Sequence, residues 1–321
     1  MGQSPSKIST HGRGESTLSE CLAGILCGNR SAVDEFSQQE EEEHYYPHAL
    51  IFQGTDPKAD KLSTRLFFRR PLTLNNLKLF KHRPSSLVGA VWRYIEPTGP
   101  NLSDIQKEAI MRWKEIDILN STNPYQLSPI ENVLEKYFHI FDDLFFRGAL
   151  KNHVILIIST TCAATIPGCK GHTSEDSNVV FQRAKNGQLQ CRFNPISTIT
   201  IYINEKLEPM SGKVLKGLFG VLVHEMCHAF FYIYGCVGNC CRDGSLDLGT
   251  RGHGIMFQEI TFNIQIMAAS ESVLGCNLNM GRYFSLLQEL RDKQGWKEQM
   301  DVSRWGFDEK KLINDLVKIN T

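Results

Sequence analysis

The stretch VLKGLFGVLVHEMCHAFFYIY, residues 214–234, decides the fold of this chain. Leucines and Met226 recur at about 3.6-residue intervals and no proline interrupts them, which predicts a single α-helix. The other faces of this helix are also apolar, so we expect it to be buried nearly all round. Two histidines and a glutamate nevertheless lie at its centre, where an unpaired charge would be costly. A metal ion bound by the histidines resolves this conflict.

The two histidines, His224 and His228, are four residues apart. This spacing puts both imidazoles on one helical face, one turn apart, where they can reach the same ion. Glu225 projects beside them, which suits a general base. The three residues form the pattern H-E-x-x-H, the zinc signature of metalloproteases. We therefore predict one catalytic Zn²⁺ rather than two core histidines satisfied by hydrogen bonds.

A catalytic zinc ion usually takes three protein ligands and leaves a fourth position for water. The extended pattern H-E-x-x-H-x-x-G-x-x-H is excluded, because Tyr234 stands where its last histidine would be. A glutamate on the next helix, Glu259 or Glu271, is one alternative for the third ligand. His253 is the better candidate, because glycines flank it on both sides and allow the backbone to approach the ion closely.

The run HEMCHAF that begins at His224, the Gly-His-Gly around His253 and the following Phe257 together resemble the SprT-like family of zinc metallopeptidases. This family includes the Spartan-type proteases that degrade DNA–protein crosslinks. The resemblance covers about residues 128–270 and implies a zincin-like fold. It also implies that three histidines bind zinc and that one glutamate acts as base, namely His224, His228, His253 and Glu225.

The chain divides by composition into four predicted parts. Residues 1–60, which contain an acidic run from Asp34 to Glu43, should form a poorly ordered tail. Residues 61–127 form a basic, partly helical extension, residues 128–270 the metallopeptidase domain, and residues 271–321 a C-terminal helical extension. Helices, then a few strands, then helices predict an α+β domain. In it the active-site helix packs on a small sheet, with extra helices on both sides.

Local patterns predict the individual elements. A capping box at Ser103 predicts a helix to about residue 119, and Ser128-Pro129 starts a longer helix that ends near Gly148. The run VILIIS and the strictly alternating run TITIYI predict two strands with a polar, loop-rich stretch between them. The ranges are 154–159 and 198–203 for these strands, and 255–269, 281–293 and 308–319 for further helices.

Residues 61–95 contain many lysines and arginines, interleaved aromatic residues and no Asp or Glu. Such a mixture suits a nucleic-acid surface. An amphipathic segment that packs on the domain and extends its basic side chains to solvent explains it better. The whole chain has zero formal net charge, so its overall charge favours neither nucleic acid nor membranes. The candidate DNA contacts are Arg65, Arg69, Arg70, Lys78, Lys81 and Arg83.

The ten cysteines are irregularly placed, and no signal-peptide pattern precedes them. This predicts an intracellular protein with mostly reduced thiols. The resemblance to the SprT-like family implies the nucleus rather than the cytoplasm. Three cysteines close together could bind a second metal with Cys227 or Cys276 as fourth ligand, although reduced thiols or a local disulfide are the favoured interpretation. These three are Cys236, Cys240 and Cys241.

No membrane span is expected, because the metal-binding residues interrupt the only long apolar run. The N-terminus carries a short pattern for N-myristoylation, Met1-Gly2 with Ser6. A single acyl chain would in any case anchor the protein only weakly.

Together these features predict a zinc endopeptidase that cleaves protein or peptide substrates, including DNA-associated proteins. In this hypothesis Glu225 takes a proton from the attacking water and passes it to the leaving amine. Residues 198–203 would offer a strand edge to an extended peptide. The alternative is a non-catalytic, zinc-stabilised module that binds protein or DNA. Structural zinc sites are normally closed by four ligands, so three evident ligands favour the enzyme.

Overall fold

The computed structural model is an α+β protein with a small three-stranded sheet, which confirms the predicted fold class. The structure describes residues 71–96, 101–116, 130–159, 170–183, 189–203, 212–236, 248–292 and 301–320. The helices are α1 Pro84–Ile95, α2 Asp104–Glu115, α3 Ile130–Phe141, α4 Gly212–Tyr234, α5 Ile255–Ala269, α6 Arg282–Asp292 and α7 Glu309–Asn320. The strands are β1 Val154–Ser159, β2 Gly171–Arg183 and β3 Leu189–Tyr202.

Helix α4 is the central element, and nearly all of its faces are buried as its sequence predicts. By length and composition alone it could also cross a membrane. The expectation that the metal-binding residues make this apolar run too short for a membrane span was therefore wrong. However, 72% of its most apolar window is buried inside the protein. This burial is the property of a core helix, so a membrane span is not indicated.

The sheet has the strand order β1-β3-β2, with β1 parallel and β2 antiparallel to β3. Ile199 and Ile201 of β3 are fully buried on the face that meets α4. The strand predicted at 154–159 is confirmed, and 198–203 is the end of a longer strand. The loop-rich stretch predicted between them was wrong, because it contains β2 and the start of β3. The polar run HTSEDSN in β2 lacks an apolar alternation, which is why no strand was predicted there.

The position of β3 corrects a second expectation. Residues 198–203 were expected to offer a free edge, but β3 is hydrogen-bonded to β1 on one side and to β2 on the other. In the described sheet the two edges are therefore β1 and β2, and β2 is the edge strand that contacts α4.

The first three helices pack with α4 around an aromatic group at the centre of the core. Trp113 of α2 and Tyr137 of α3 are 5.3 Å apart between ring centroids, and Tyr137 is 4.0 Å from Phe219 of α4. The capping box at Ser103 is confirmed, since the Ser103 hydroxyl accepts a hydrogen bond from the backbone N–H of Gln106. Such rings bury large apolar areas and dominate core energetics.

The helical segment that begins with α3 ends near Gly148 as predicted, but its last turn is not α-helical. The predicted cap at Ser128 lies outside the described residues. After Phe141 the segment continues as a π-helical turn, Asp142–Phe146, which ends with Arg147 in the left-handed region. The carboxylate of Asp142 accepts hydrogen bonds from the backbone N–H groups of Leu150 and Lys151. These bonds fold the chain back towards β1.

The described part of the basic segment packs on the core, as the favoured interpretation held. Helix α1 buries Leu87 and Val91, while Lys78 and Lys81 remain exposed and Arg83 is partly buried. Of the other candidate DNA contacts, Arg65, Arg69 and Arg70 lie outside the described residues.

Just before α1, the chain pairs with the end of α4. The N–H groups of Phe80 and His82 donate to the carbonyls of Ile233 and Tyr234, and the N–H of Cys236 donates to the His82 carbonyl. A helix end leaves its last carbonyls without intrahelical partners, and this segment supplies two of the missing donors.

The C-terminal helices include a second, smaller core formed by α6, α7 and the 3-10 turn Ser303–Trp305. The helices predicted at 255–269, 281–293 and 308–319 correspond to α5, α6 and α7. Arg282 joins this region to α5, because its guanidinium lies between the rings of Phe262 and Phe307 at 4.9 and 4.8 Å. The predicted tail at 1–60 lies outside the described residues, and the four-part division of the chain stays a prediction.

Candidate metal centre

Three histidines converge at one point, as predicted from their sequence positions. The Nε2 atom of His228 lies 3.2 Å from Nε2 of His224 and 3.0 Å from Nε2 of His253. The Nε2 atoms of His224 and His253 are 3.2 Å apart. Among the described residues they form the one group of His, Cys, Asp or Glu side chains close enough to bind a metal ion. The helical spacing thus places two of the candidate ligands and the loop places the third.

The arrangement of these nitrogen atoms fits zinc. Zinc–nitrogen bonds of about 2.0–2.1 Å in a tetrahedron separate the ligand atoms by about 3.3 Å, close to the spacing observed here. Nδ1 of His224 lies 2.8 Å from the carbonyl oxygen of Met280 and donates to it. A neutral imidazole has one N–H, so Nε2 of His224 presents a lone pair to the shared point. Three imidazole nitrogens favour zinc over magnesium or calcium, which prefer oxygen.

The aromatic ring of Phe257, on the first turn of α5, contacts all three imidazoles. Its centroid lies 4.8 Å from that of His224, 4.6 Å from that of His228 and 4.9 Å from that of His253. The ring is fully buried. Phe257 therefore restricts the orientation of every ligand at once.

Residues 248–254, hereafter the ligand loop, deliver His253 to the site. Gly252 has a φ of +79°, which a residue with a side chain rarely adopts, and a Cβ there would lie 3.1 Å from Cε1 of His228. The close approach expected of a flanking glycine is therefore confirmed at Gly252. Gly254 has an ordinary φ of −68° and begins α5 as its N-cap.

The carboxylate of Glu225 lies beside the histidines and beneath the edge strand β2. The Thr173 hydroxyl donates to Oε2 of Glu225 at 2.6 Å. A Cβ at Gly171 would lie 2.8 Å from Oε1, so only glycine leaves room for the carboxylate there. One strand residue thus anchors Glu225 and another makes space for it.

Burial sets the protonation of these groups. It lowers the pKa of His224 to about 4, and it lowers that of His253 to about 3 with a further contribution from His224 and Arg251. The pKa of His228 is also well below its ordinary value, chiefly through burial. Burial raises the pKa of Glu225 to about 7, against the opposing effect of the Thr173 hydrogen bond. At neutral pH the imidazoles are therefore uncharged, the form in which histidine binds metals.

The two alternative third ligands do not reach the site. Glu259 forms an ion pair with Arg304, and Glu271 is exposed beside Gly275. Neither belongs to the group of side chains close enough to bind an ion. The positions of these side chains therefore confirm the preference for His253 over the two glutamates.

The predicted cysteine cluster is only partly described. Cys236 is partly buried and forms no disulfide among the described residues, while Cys240 and Cys241 lie outside them. Cys227 and Cys276, the candidates for a fourth ligand, are buried and free, and burial raises the pKa of both thiols. Thiolates bind zinc and protonated thiols do not. A second metal at this loop stays a prediction.

Several residues that shape the site had not been singled out from the sequence. Thr173 and Gly171 lie in the stretch that was predicted as loop. Met280 and Glu289 lie beyond the predicted domain end at residue 270. Tyr232, one turn after His228, stacks on its imidazole with the ring centroids 6.3 Å apart. The turn signal Asn186-Gly187 could have predicted the β2–β3 hairpin, and with it a strand through Thr173.

Comparisons with known proteins add no relative. The chain matches no protein-family model, no curated protein sequence and no solved structure.

Proposed function

We propose that this chain is a zinc-dependent endopeptidase of the SprT-like, zincin-like type. The observation that carries this proposal is the convergence of three Nε2 atoms, from His224, His228 and His253, within 3.2 Å of one another beside a buried glutamate. A structural zinc site is normally closed by four protein ligands, whereas a catalytic site has three and an open position.

The donor set supports zinc as the cofactor, with the three histidines as its ligands. When bound in such a site, zinc polarises a carbonyl group and activates water for attack. Glu225 accepts the proton of the attacking water and transfers it to the leaving amine. The Thr173 hydroxyl donates to Oε2 of Glu225 and so restricts the orientation of the carboxylate. Geometry of this kind contributes to catalysis because the base is oriented before the reaction begins.

The edge strand β2 supports a peptide as the substrate. It contacts α4 through Gly171 and Thr173, so the edge passes directly beside Glu225. An extended peptide can add to such an edge through main-chain hydrogen bonds, which depend little on side-chain identity. We therefore expect broad sequence specificity and a preference for unfolded or flexible substrates. This edge replaces the one first expected at residues 198–203.

The test is cleavage of casein or histone by the full chain loaded with zinc, compared with Glu225→Gln. Loss of a general base lowers the rate by about 10²–10⁴-fold. The zinc content of the variant, measured by elemental analysis, should equal that of the wild type. Full activity in Glu225→Gln would remove the glutamate from the mechanism. A wild type that binds zinc and cleaves nothing would favour the non-catalytic module.

Thr173 offers a finer test of the same mechanism. Thr173→Val removes the hydroxyl at nearly constant shape, whereas Thr173→Ser keeps it. We expect a lower kcat for the valine variant, little change in KM, and recovery in the serine variant, because the hydroxyl orients the base and does not bind substrate.

Single-stranded DNA belongs in this assay as an optional activator. Lys78 and Lys81 are exposed and available for such contact. Stimulation by DNA that disappears in Lys78→Glu/Lys81→Glu would support DNA-associated proteins as substrates. Cleavage that is indifferent to DNA would leave a general peptidase.

A further inference from the structure

A buried carboxylate organises the ligand loop from outside the catalytic motif. Glu289 lies on α6 and is fully buried. Its Oε1 accepts a hydrogen bond from the Thr250 N–H, and its Oε2 accepts from the N–H groups of Arg251 at 2.9 Å and His253 at 3.3 Å. Three of the four backbone N–H groups from residue 250 to residue 253 therefore point at one side chain. Hydrogen bonds to an ionised acceptor are stronger than those between neutral groups.

The loop is shaped to receive this carboxylate. Gly249 has a φ of +86°, and a Cβ at this position would lie 2.6 Å from Oε2 of Glu289. Only glycine allows the backbone both this dihedral angle and this approach. The loop is also closed at its base, because the Gly254 N–H donates to the Leu248 carbonyl at 2.6 Å.

The imidazole of His253 depends on this backbone for its position. Its Nδ1 is buried and has no hydrogen-bond partner among the described residues, unlike Nδ1 of His224, which the Met280 carbonyl holds. Apart from ring contacts with Phe257 and with the two other histidines, the ring is therefore oriented through the loop that carries it. The loop in turn is hydrogen-bonded to Glu289, which lies 36 positions after His253 in the chain.

We propose that Glu289 is a positioning residue for the metal centre, which fixes the third ligand, His253, and so sets the affinity for zinc. The inference rests on the three-histidine site of the proposed function but not on peptide hydrolysis. It also makes α6 part of the metal centre, although the sequence placed this helix in a separate extension.

The experiment measures zinc affinity of the full chain by competition with a chelator, at a temperature where every variant is folded. Glu289→Gln and Glu289→Ala should raise the zinc Kd by about 10–100-fold, the effect typical of groups that orient metal ligands. Gly249→Ala should do the same from the other side of the contact. In the Co²⁺-loaded protein, the visible absorption of a tetrahedral site should weaken as the third imidazole is lost.

The matched control is Glu259→Gln, a carboxylate on α5 that pairs with Arg304 and does not bond to the loop. It should keep the wild-type zinc Kd and Co²⁺ spectrum even if its melting temperature falls. If Glu289→Ala does not fold, Glu289→Gln and Gly249→Ala decide the matter.

A zinc Kd within twofold of wild type in both Glu289→Gln and Gly249→Ala would overturn the inference. So would an equal rise in Glu289→Gln and the Glu259→Gln control, since that would be a general effect of stability. A wild type that binds no zinc would defeat the metal site itself. A wild type that binds zinc but cleaves nothing would defeat only the proposed hydrolysis, and the positioning role would stand.

Discussion

The proposed metal centre has two halves that are built in opposite ways. The helix half, α4, supplies His224 and His228 through regular spacing in a buried helix. The loop half supplies His253 from residues 248–254, where two glycines have positive φ and one distant carboxylate holds the backbone. A helix fixes its ligands by local geometry, whereas a loop needs partners from elsewhere. The two halves should therefore fail in different ways when they are altered.

The largest effect is expected where both halves meet. Phe257→Ala removes the ring that contacts all three imidazoles and leaves a cavity, so it should destabilise the fold by about 3–5 kcal/mol. Zinc affinity should fall as well, because the ligands lose their common wall. Chemical denaturation and chelator competition measure the two effects. Phe257→Leu, which refills much of the space, should lose less of both, and an unaltered zinc Kd in Phe257→Ala would contradict the shared role.

In the helix half, we expect substitution of Gly220 to cause a large loss of stability. A Cβ there would lie 2.6 Å from the backbone carbonyl carbon of Asn279, which cannot move as a flexible side chain could. Gly220→Ala should therefore cost about 2–3 kcal/mol, in the upper range for overpacking, and weaken zinc binding through the adjoining Met280. The control is Gly217→Ala on the same helix, where a Cβ meets nothing within 4 Å.

Gly217→Ala should stabilise the protein by about 0.5–1 kcal/mol, because alanine is the better helix former. The opposite effects of the two substitutions would be visible as shifts of the denaturation midpoint in opposite directions, with the larger shift in Gly220→Ala. A Gly220→Ala variant as stable as the wild type would mean that the segment before α6 is not docked on α4.

Substitution in the loop half should cause a smaller loss of stability. Gly252→Ala places a Cβ 3.1 Å from the His228 ring and requires a side chain at a φ of +79°. The dihedral alone costs about 1–2 kcal/mol, and the contact should displace an imidazole and raise the zinc Kd. Gly281→Ala is the matched control, since its φ is +66° and a Cβ there meets nothing within 4 Å.

Both variants should lose similar stability in the metal-free protein, but only Gly252→Ala should lose zinc affinity. An equal loss of affinity in both would show that strain, rather than contact with His228, is responsible. Isothermal titration with zinc and metal-free thermal unfolding separate the two quantities.

The smallest effect concerns a carboxylate outside both halves. Burial raises the pKa of Asp142 to about 7, against the hydrogen bonds from Leu150 and Lys151. Between the unfolded pKa near 3.8 and the folded value, the folded state binds the extra proton, so stability falls as pH rises. The slope should be about 1.4 kcal/mol per pH unit below the folded pKa, which makes the loss from pH 6 to 7.5 about 1 kcal/mol.

Asp142→Asn should remove this dependence, because the amide does not ionise. Urea denaturation between pH 5 and 8 measures it, and Asp143→Asn serves as the neighbouring control. Glu225 and the three histidines titrate in both proteins, so the readout is the stability of the wild type relative to Asp142→Asn. A relative stability that rises with pH over this interval would have the opposite sign and would contradict the assignment to Asp142.

The comparison of the halves also explains what could be predicted from the sequence. The ligands of α4 were predictable because spacing, burial and chemistry are all encoded within a few turns of one helix. His253 was predictable because Gly252 leaves a local trace of close backbone approach. Glu289 leaves no such trace, since its partners are backbone N–H groups, which every loop residue except proline carries. Thr173 was missed for a related reason, because β2 is polar and its pairing with β3 is not local.

The hydrogen bonds of Phe80 and His82 to the last carbonyls of α4 have a consequence for synthesis on the ribosome. The donors for this end of the helix are translated before the helix itself, so α4 can dock as soon as it emerges from the exit tunnel. Glu289 and Met280 emerge later. The nascent protein should therefore carry two imidazoles on a docked helix before Met280 can orient His224 and before Glu289 can hold the loop of His253. Stable metal capture should follow the release of α6.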